Sequence, residues 1–404
     1  MIRRDRYPGG ARARYFPALL ACGLVGIISR VRVIATFVGG WGHAEPLIPI
    51  VDMAVAHGHG VVFAGQAVVV PRLDALGFAT RVVGPDTLTS GRGPLLAPDC
   101  EGERSVMRDH FITEFGSFRA SALRSLFEFE RPDLVICDEV DVGAIIATEA
   151  ASVPCVTVNV IAAGLLNSMH VVGEAWNALR VSNALNPDPN GDRIAGTFMV
   201  AAIPRSFRDP AASSPPRMHF VRPAILGQSV PHAPTSRPLV YVTLSTVFNV
   251  ESGDLFDRII RAMSSVDADV IVTTGPQIDP AEFNDVPSNV VVEQFRPQAE
   301  ILPACSAVVT HGGSGTLLAA LALGVPAAVL PMGADQLDNA DRVDDLGVGL
   351  LLDPLTADPF DVATAVTTLI NDDSYRHNAA SLATEAQSQQ PLENLRELIA
   401  LLQP

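Results

Sequence analysis

Residues 308–326 read "VVTHGGSGTLLAALALGVP". A β-branched run ends at Thr310, a histidine and three glycines follow within five residues, and an apolar helical pattern begins at once. A strand–turn–helix of this kind presents unpaired backbone N–H groups and the positive end of a helix dipole, which together suit a phosphate. Gly312, Gly313 and Gly315 let the chain turn tightly and let a diphosphate approach the backbone, while His311 and the Thr316 hydroxyl add side-chain donors. Glycines alone would mark a plain connection; a histidine and a threonine in the same turn favour an anion site. No Gly-Lys-Ser/Thr follows, so this is not a Walker loop.

Outward from this turn, short β-branched runs alternate with alanine-rich amphipathic segments. The first half carries "VRVIATF", "VVFAG", "PDLVICD" and "PCVTVNV" as strands, with "PLIPIVDMAVAHG" and "VGAIIATEAA" as helices. The second half resumes with "LVYVTLS", "ADVIVTTG", "NVVVEQF", "AVVTHGG" and "AAVLPMG". Such alternation implies right-handed crossovers and parallel sheets, hence an α/β fold. Between them, residues 209–238 are rich in proline and serine and read as a linker. The expected organisation is an extension over 1–30, a first domain over 31–208, the linker, a second domain over 239–387 and a C-terminal helix over 388–404. Two such domains leave a cleft, and ligands bind these sheets beyond the carboxyl ends of the strands.

At 404 residues, with 48% apolar and 18% charged residues, the composition is globular. A net charge of −16 argues against a nucleic-acid partner. All 28 basic residues are arginine, a codon signature of a GC-rich bacterial genome. The five cysteines are scattered, which gives neither a disulfide framework nor a zinc cluster and makes a reduced cytoplasmic setting the default. The arginine-rich start and the apolar run from Phe16 to Ile28 imitate an export signal, and Leu19 to Cys22 imitates a lipoprotein box. The run continues past Cys22 with no polar spacer before Val31, which favours an over-extended gene start over export. It is too short to cross a bilayer comfortably, and no stable membrane insertion is expected.

The segment "FRPQAEILPACSAVVTHGGSGTLLAALALGVPAAVLPMGADQLDNADRVDDLGVGL", Phe295 to Leu350, resembles the donor-binding signature of the family 1 glycosyltransferases, closest to the bacterial macrolide and natural-product branch. Weaker similarity at "GGWGHAEPLIPI" and "PDLVICDEVD" extends the resemblance over nearly all of the chain after residue 30. It implies the GT-B fold, two Rossmann-like domains with parallel sheets facing a central cleft. It further implies that Phe295 stacks on the nucleotide base, with Arg296 and Gln298 flanking it. A strand-end phenylalanine capping the core is the plainer alternative for Phe295. His311, Gly312, Gly313, Ser314, Gly315 and Thr316, with Thr246 from the preceding lobe strand, would hold the diphosphate. Asp335 and Gln336 would bind the donor sugar's hydroxyls, a carboxylate and an amide being suited to vicinal hydroxyls.

His43 follows the first strand, where a histidine at a cleft can take a proton from an acceptor hydroxyl. In the family this histidine is the catalytic base and an aspartate steadies it; Asp138, ending "LVICD", fits that place, with Glu139, Asp141 and the remoter Asp109 as rivals. Some features depart from the family: Ser245-Thr246 stands where Gly-Thr is commoner, and Ala319 replaces a ribose-binding glutamate. His57 and His59 read as a helix C-terminal turn rather than metal ligands, and Asp267 and Asp269 only imitate a metal motif. The expectation is an inverting, metal-independent hexosyltransferase with no cofactor, using a UDP- or dTDP-linked sugar as co-substrate and a small lipophilic acceptor, in the cytoplasm. The sequence leaves oligomeric state open. A nucleotide-sugar-binding pseudoenzyme and a GT-B epimerase are the alternatives.

Overall fold

The computed structural model describes residues 30–87, 92–212, 214–228, 237–244 and 248–403. The N-terminal extension (save Arg30) and Thr246 lie outside the described residues. The first sheet contains β1 (Arg32–Thr36), β2 (Gly60–Gly65), β3 (Ala79–Val82), β4 (Leu134–Asp138), β5 (Cys155–Val158), β6 (Phe198–Ala201) and β7 (Met218–Phe220). The second contains β8 (Leu239–Thr243), β9 (Asp269–Thr273), β10 (Val290–Glu293), β11 (Ala307–Thr310), β12 (Ala327–Val329) and β13 (Gly349–Leu351). All pairings are parallel, in the orders β3-β2-β1-β4-β5-β6-β7 and β10-β9-β8-β11-β12-β13.

The strand chemistry explains the layering. Leu134–Asp138 and Ala307–Thr310 are buried at every position, as a strand covered by helices on both faces must be. Alternate residues feed opposite faces: Val33 and Ala35 join one apolar cluster, Ile34 another. In the second sheet Val240 and Val242 pack on one side and Tyr241 on the other.

In each sheet the strand order reverses once in the middle, between β1 and β4 and between β8 and β11. Such a reversal sends the flanking crossover helices to opposite faces and opens a crevice at the strands' carboxyl ends. His43 and Asp138 lie beyond β1 and β4; His311 lies beyond β11. Both sets of candidate residues therefore occupy the crevice of their sheet.

The lobes are joined by more than chain connectivity. Ala162, Ile203, Phe207 and Phe220 of the first lobe share an apolar cluster with Leu317, Leu321 and Val343 of the second. Arg342 donates to the carbonyls of Phe207 (3.2 Å) and Ser206 (2.9 Å). The stretch read as a linker contributes β7, which completes an edge of the first sheet. Three residues among prolines are too few to show a strand period. The C-terminal helix is shorter than its sequence pattern, Arg396–Leu401, and its Leu398, with Leu395 and Leu402, packs back into the first lobe beside Ile50 and Phe63.

Candidate active site

After β1 the chain turns through Gly39 and Gly40 into a short helix, Trp41–Ala44. Gly39 has φ +119°, and a Cβ there would lie 2.5 Å from His43 Cδ2. Only glycine lets the imidazole fold back over its own turn. His43 Nδ1 then reaches Asp138 Oδ2 at 3.0 Å. A carboxylate can only accept, so Nδ1 carries the proton and Nε2 keeps its lone pair.

Asp138 is held by its backbone surroundings. Its Oδ2 also accepts from Val38 N–H (3.1 Å), and its Oδ1 accepts from Val140 (3.0 Å) and Asp141 (2.7 Å). Burial raises the Asp138 carboxyl above the usual range, and its contact with His43 works against that rise. For His43, burial pulls the imidazolium pKa down, but Asp138 and then Asp335 and Glu139 outweigh it and hold the pKa above the ordinary histidine value. Asp335 belongs to the opposite lobe, so the imidazole feels charge from across the cleft.

The rival carboxylates are occupied elsewhere. Asp141 takes a two-pronged ion pair from buried Arg119, at 2.8 and 2.6 Å, and accepts from Thr36 Oγ1 at 3.0 Å. Glu139 points its Oε1 at the Asn159 side chain and at the N–H groups of Val160 and Ile161. Asp109 is exposed and pairs with Arg108.

On the second lobe, the helix Ser314–Ala322 begins at Gly313 with no side-chain cap, leaving its first N–H groups to a ligand or water. A Cβ on Gly315 would meet nothing within 4 Å, so this end of the helix faces open space. His311 is buried, a ring N–H is bonded to the Thr243 carbonyl, and burial pushes its pKa down to about 4. It is therefore neutral at pH 7, which decides between the two protonation states that the sequence allows. Its ring lies against Gly313, where a side chain would collide with it.

The other candidates fall around this helix start. Ser314 Oγ donates to Asp335 Oδ2 at 2.6 Å and accepts from Ala162 N–H at 3.1 Å. Its hydroxyl is thus engaged with Asp335 and with the other lobe; its backbone N–H remains at the uncapped helix start. Gln298 Nε2 donates to Thr316 Oγ1 at 2.7 Å, tying the loop after β10 to the helix. Arg296 is drawn to Glu293, 2.6 Å away. Phe295 is 62% exposed, so its ring does not cap the core. Gln336 Oε1 accepts from the N–H groups of Met332 (2.8 Å) and Gly333 (3.3 Å), which leaves the amide nitrogen as its outward-working group. Ala334, next to Asp335, sits at φ +53°, a conformation costly for a residue with a Cβ.

Two residues that the sequence reading passed over belong to the same site. Asn339 Nδ2 donates to Asp335 Oδ2 (2.8 Å) and to the Gly312 carbonyl (3.0 Å), joining the start of its own helix to the glycine turn after β11. Its spacing of four from Asp335 on one helix was the available signal. Glu103 accepts a hydrogen bond from Ala334 N–H and carries a raised pKa through burial; nothing local marks it. Between the lobes lies a cavity of about 340 Å³ with Leu95, Leu96, Glu103 and Val106 on one side and Glu251 and Met332 on the other. His57 and His59 bond to backbone, at Met53 and Leu402, and Asp267 and Asp269 pair with Arg237. No helix among the described residues is long and apolar enough to cross a membrane.

Comparison with known proteins gives a consistent picture. A family model described as "Erythromycin biosynthesis protein CIII-like, C-terminal domain" matches residues 257–401. An L-demethylnoviosyl transferase of Streptomyces niveus is 29% identical over 370 residues, covering 88% of this chain and 94% of its own. An NDP-glycosyltransferase of Bacillus subtilis is 26% identical, covering 77% of this chain and 82% of its own. Among solved structures, the calicheamicin glycosyltransferase CalG4 superposes with a TM-score of 0.74 at 20% identity, covering 93% of this chain and 99% of that one. At that identity the superposition speaks for the two-lobed fold.

Proposed function

We propose that the chain acts as do the GT-B glycosyltransferases of the bacterial macrolide and natural-product branch that it resembles, and that it inverts configuration as it moves a hexose from a UDP- or dTDP-sugar to a hydroxyl of a small lipophilic acceptor. It is a nucleotide-sugar-dependent transferase; the stereochemistry, the donor base and the acceptor class are the proposed part. The observation that carries the mechanism is the His43–Asp138 contact at 3.0 Å, with Asp335 of the other lobe acting on the same imidazole.

His43 Nε2 takes the acceptor proton as the acceptor oxygen attacks the anomeric carbon. Asp138 fixes the tautomer and stabilises the imidazolium that forms. The bond to the diphosphate breaks on the opposite face, and the leaving charge falls on the uncapped N–H groups at Gly313–Gly315, where no reorganisation is needed. Asp335 and the Gln336 amide nitrogen hold sugar hydroxyls, and Phe295 stacks on the base with Arg296 and Gln298 beside it. Neutral donors and a helix end stabilise the leaving group, so the reaction proceeds without a metal or a resident cofactor. An α-linked donor gives a β-glycoside. The apolar walls of the interlobe cavity, Leu95, Leu96, Val106 and Met332, suit a lipophilic acceptor. The donor pool places the enzyme in the cytoplasm.

The decisive experiment incubates the protein with UDP- and dTDP-sugars and a panel of hydroxylated aromatic and macrocyclic acceptors, and follows nucleotide release and product by mass spectrometry. Acceptor-dependent release that His43→Ala abolishes is the expected result. Donor binding with no turnover toward any acceptor would favour a binding protein instead.

A further inference from the structure

We propose that Glu139 is a positioning residue for the transfer, one that shapes the turn through which the base-bearing lobe grips the donor-binding lobe. The inference rests on the transferase reading above. Asp138 and Glu139 are neighbours that face different partners. Asp138 holds His43, whereas Glu139, 1% exposed, directs a single oxygen at three donors: Asn159 Nδ2 at 2.6 Å and the N–H groups of Val160 and Ile161 at 2.7 Å each. One carboxylate oxygen thereby gathers three consecutive residues into a tight turn.

The next two residues of that turn cross the cleft. Ala162 N–H donates to Ser314 Oγ and Ala163 N–H to Asn339 Oδ1, both at 3.1 Å. Ser314 and Asn339 both hold Asp335 Oδ2, and Asn339 also holds the Gly312 carbonyl. A continuous path of hydrogen bonds thus runs from the residue adjoining the base partner to the sugar-side carboxylate and the phosphate loop.

A second element braces the turn. Asp209 N–H donates to the Ala163 carbonyl at 3.0 Å, and the Arg208 guanidinium lies flat against Gly164, where a Cβ would strike it. Arg208 is 9% exposed, and among the described residues its Nε and Nη1 have no hydrogen-bond partner. A buried cation left so poorly bonded costs stability unless a nearby opposite charge offsets it. Glu139 is that charge: burial raises its carboxyl, and Arg208 is the largest influence holding it ionised. A carboxylate needed only to fill space could be replaced by an apolar residue; one that organises three donors and offsets a poorly hydrogen-bonded arginine cannot.

The test is a double-mutant cycle between Glu139 and Asn339, which share no contact and sit on opposite lobes. Affinity for UDP and dTDP is measured by calorimetry, alongside donor KM, kcat and the ratio of donor hydrolysis to transfer. E139Q, which keeps an accepting oxygen but removes the charge that faces Arg208, should lower Tm while its nucleotide affinity and donor KM stay within about threefold of the wild type, whereas E139A should weaken nucleotide binding and raise donor KM by about tenfold and divert more donor to water. E139A combined with N339A should be no worse than the more damaging single change, because both break one path. If E139A does not fold, E139D, which withdraws the carboxylate from the turn by one methylene, takes its place in the cycle. Multiplicative effects would overturn the inference, since Glu139 would then act independently of Asn339; the acid limb of the E139A pH profile should move to lower pH in either case, because Glu139 is one of the charges that raise the His43 pKa. A wild-type protein that binds neither nucleotide overturns the transferase reading itself; binding with an additive cycle overturns only the role of Glu139.

Discussion

His43 Nδ1 and Asp138 Oδ2 stand 3.0 Å apart at the point where the strand order of the first sheet reverses. Two strands far apart in sequence, β1 and β4, are neighbours there, so an imidazole and a carboxylate meet at the rim of the cleft. His43→Ala should lower kcat/KM by about 10²- to 10⁴-fold while leaving nucleotide affinity and thermal stability close to the wild type. Asp138→Asn should lower activity similarly and also lower Tm, because the carboxylate accepts from three backbone N–H groups that an amide satisfies less well. Steady-state kinetics and thermal melts check both.

The same pair sets the pH dependence. The folded-state pKa of His43 lies above its ordinary value, so the neutral ring that the proposed mechanism requires is lost on acidification through a point higher than an isolated histidine would give. The sign for stability is opposite to that for activity. The pair contributes most below the unfolded pKa of about 6.5, and its contribution is lost as pH rises through the folded pKa. Because Asp335 favours the imidazolium from across the cleft, Asp335→Asn should move the acid limb of kcat/KM to lower pH. An unmoved limb would mean that the two lobes do not share this field.

His311 behaves in the reverse sense. Its pKa of about 4 in the free protein lies below the unfolded value, so the unfolded chain binds more protons between the two and stability falls as pH drops through that window. A diphosphate at the adjoining helix end would favour the charged ring and raise that pKa. Nucleotide binding at pH 5.5 should therefore take up protons. Calorimetry in two buffers of different ionisation enthalpy reads this directly, and His311→Gln should abolish the uptake.

How far these relations were legible depends on whether they are local. The turn His311–Gly315 and the strand ends bearing His43 and Asp138 could be read because a strand–turn–helix writes its chemistry into adjacent residues. The neutral state of His311 could not, since burial imposes it against the Thr243 carbonyl, which favours the charged ring. Asn339 is one polar residue among several in the run 335–345; its importance comes from Gly312 and Ala163, far away in sequence. Strand β7 was hidden by length, and Glu103 by having its partner on the other lobe. Ser314 shows the same limit: position suggested a phosphate ligand, whereas its hydroxyl bonds to Asp335 and Ala162.

Phe295 offers a test that separates binding from folding. With 62% of its surface exposed, the ring contributes little to the core, so Phe295→Ala should change stability by no more than about 0.5 kcal/mol. If the ring stacks on the base, the same change should weaken UDP or dTDP binding by about 3- to 12-fold, the range for aromatic pairs. Equal affinity in the variant would remove Phe295 from the donor site.

The glycines of the anion turn should respond in opposite ways to one added methyl. At Gly313 the new Cβ would run into the His311 ring, so Gly313→Ala should destabilise the fold whether or not a ligand is present. At Gly315 the new Cβ meets nothing within 4 Å, and alanine is the better helix former, so Gly315→Ala should raise stability by about 0.5–1 kcal/mol. The space that the methyl enters is the one a diphosphate would use to reach the helix N–H groups. Gly315→Ala should therefore bind UDP and dTDP at least about tenfold more weakly despite its higher Tm. A variant that is both more stable and undiminished in nucleotide affinity would show that the diphosphate does not approach the helix at this point.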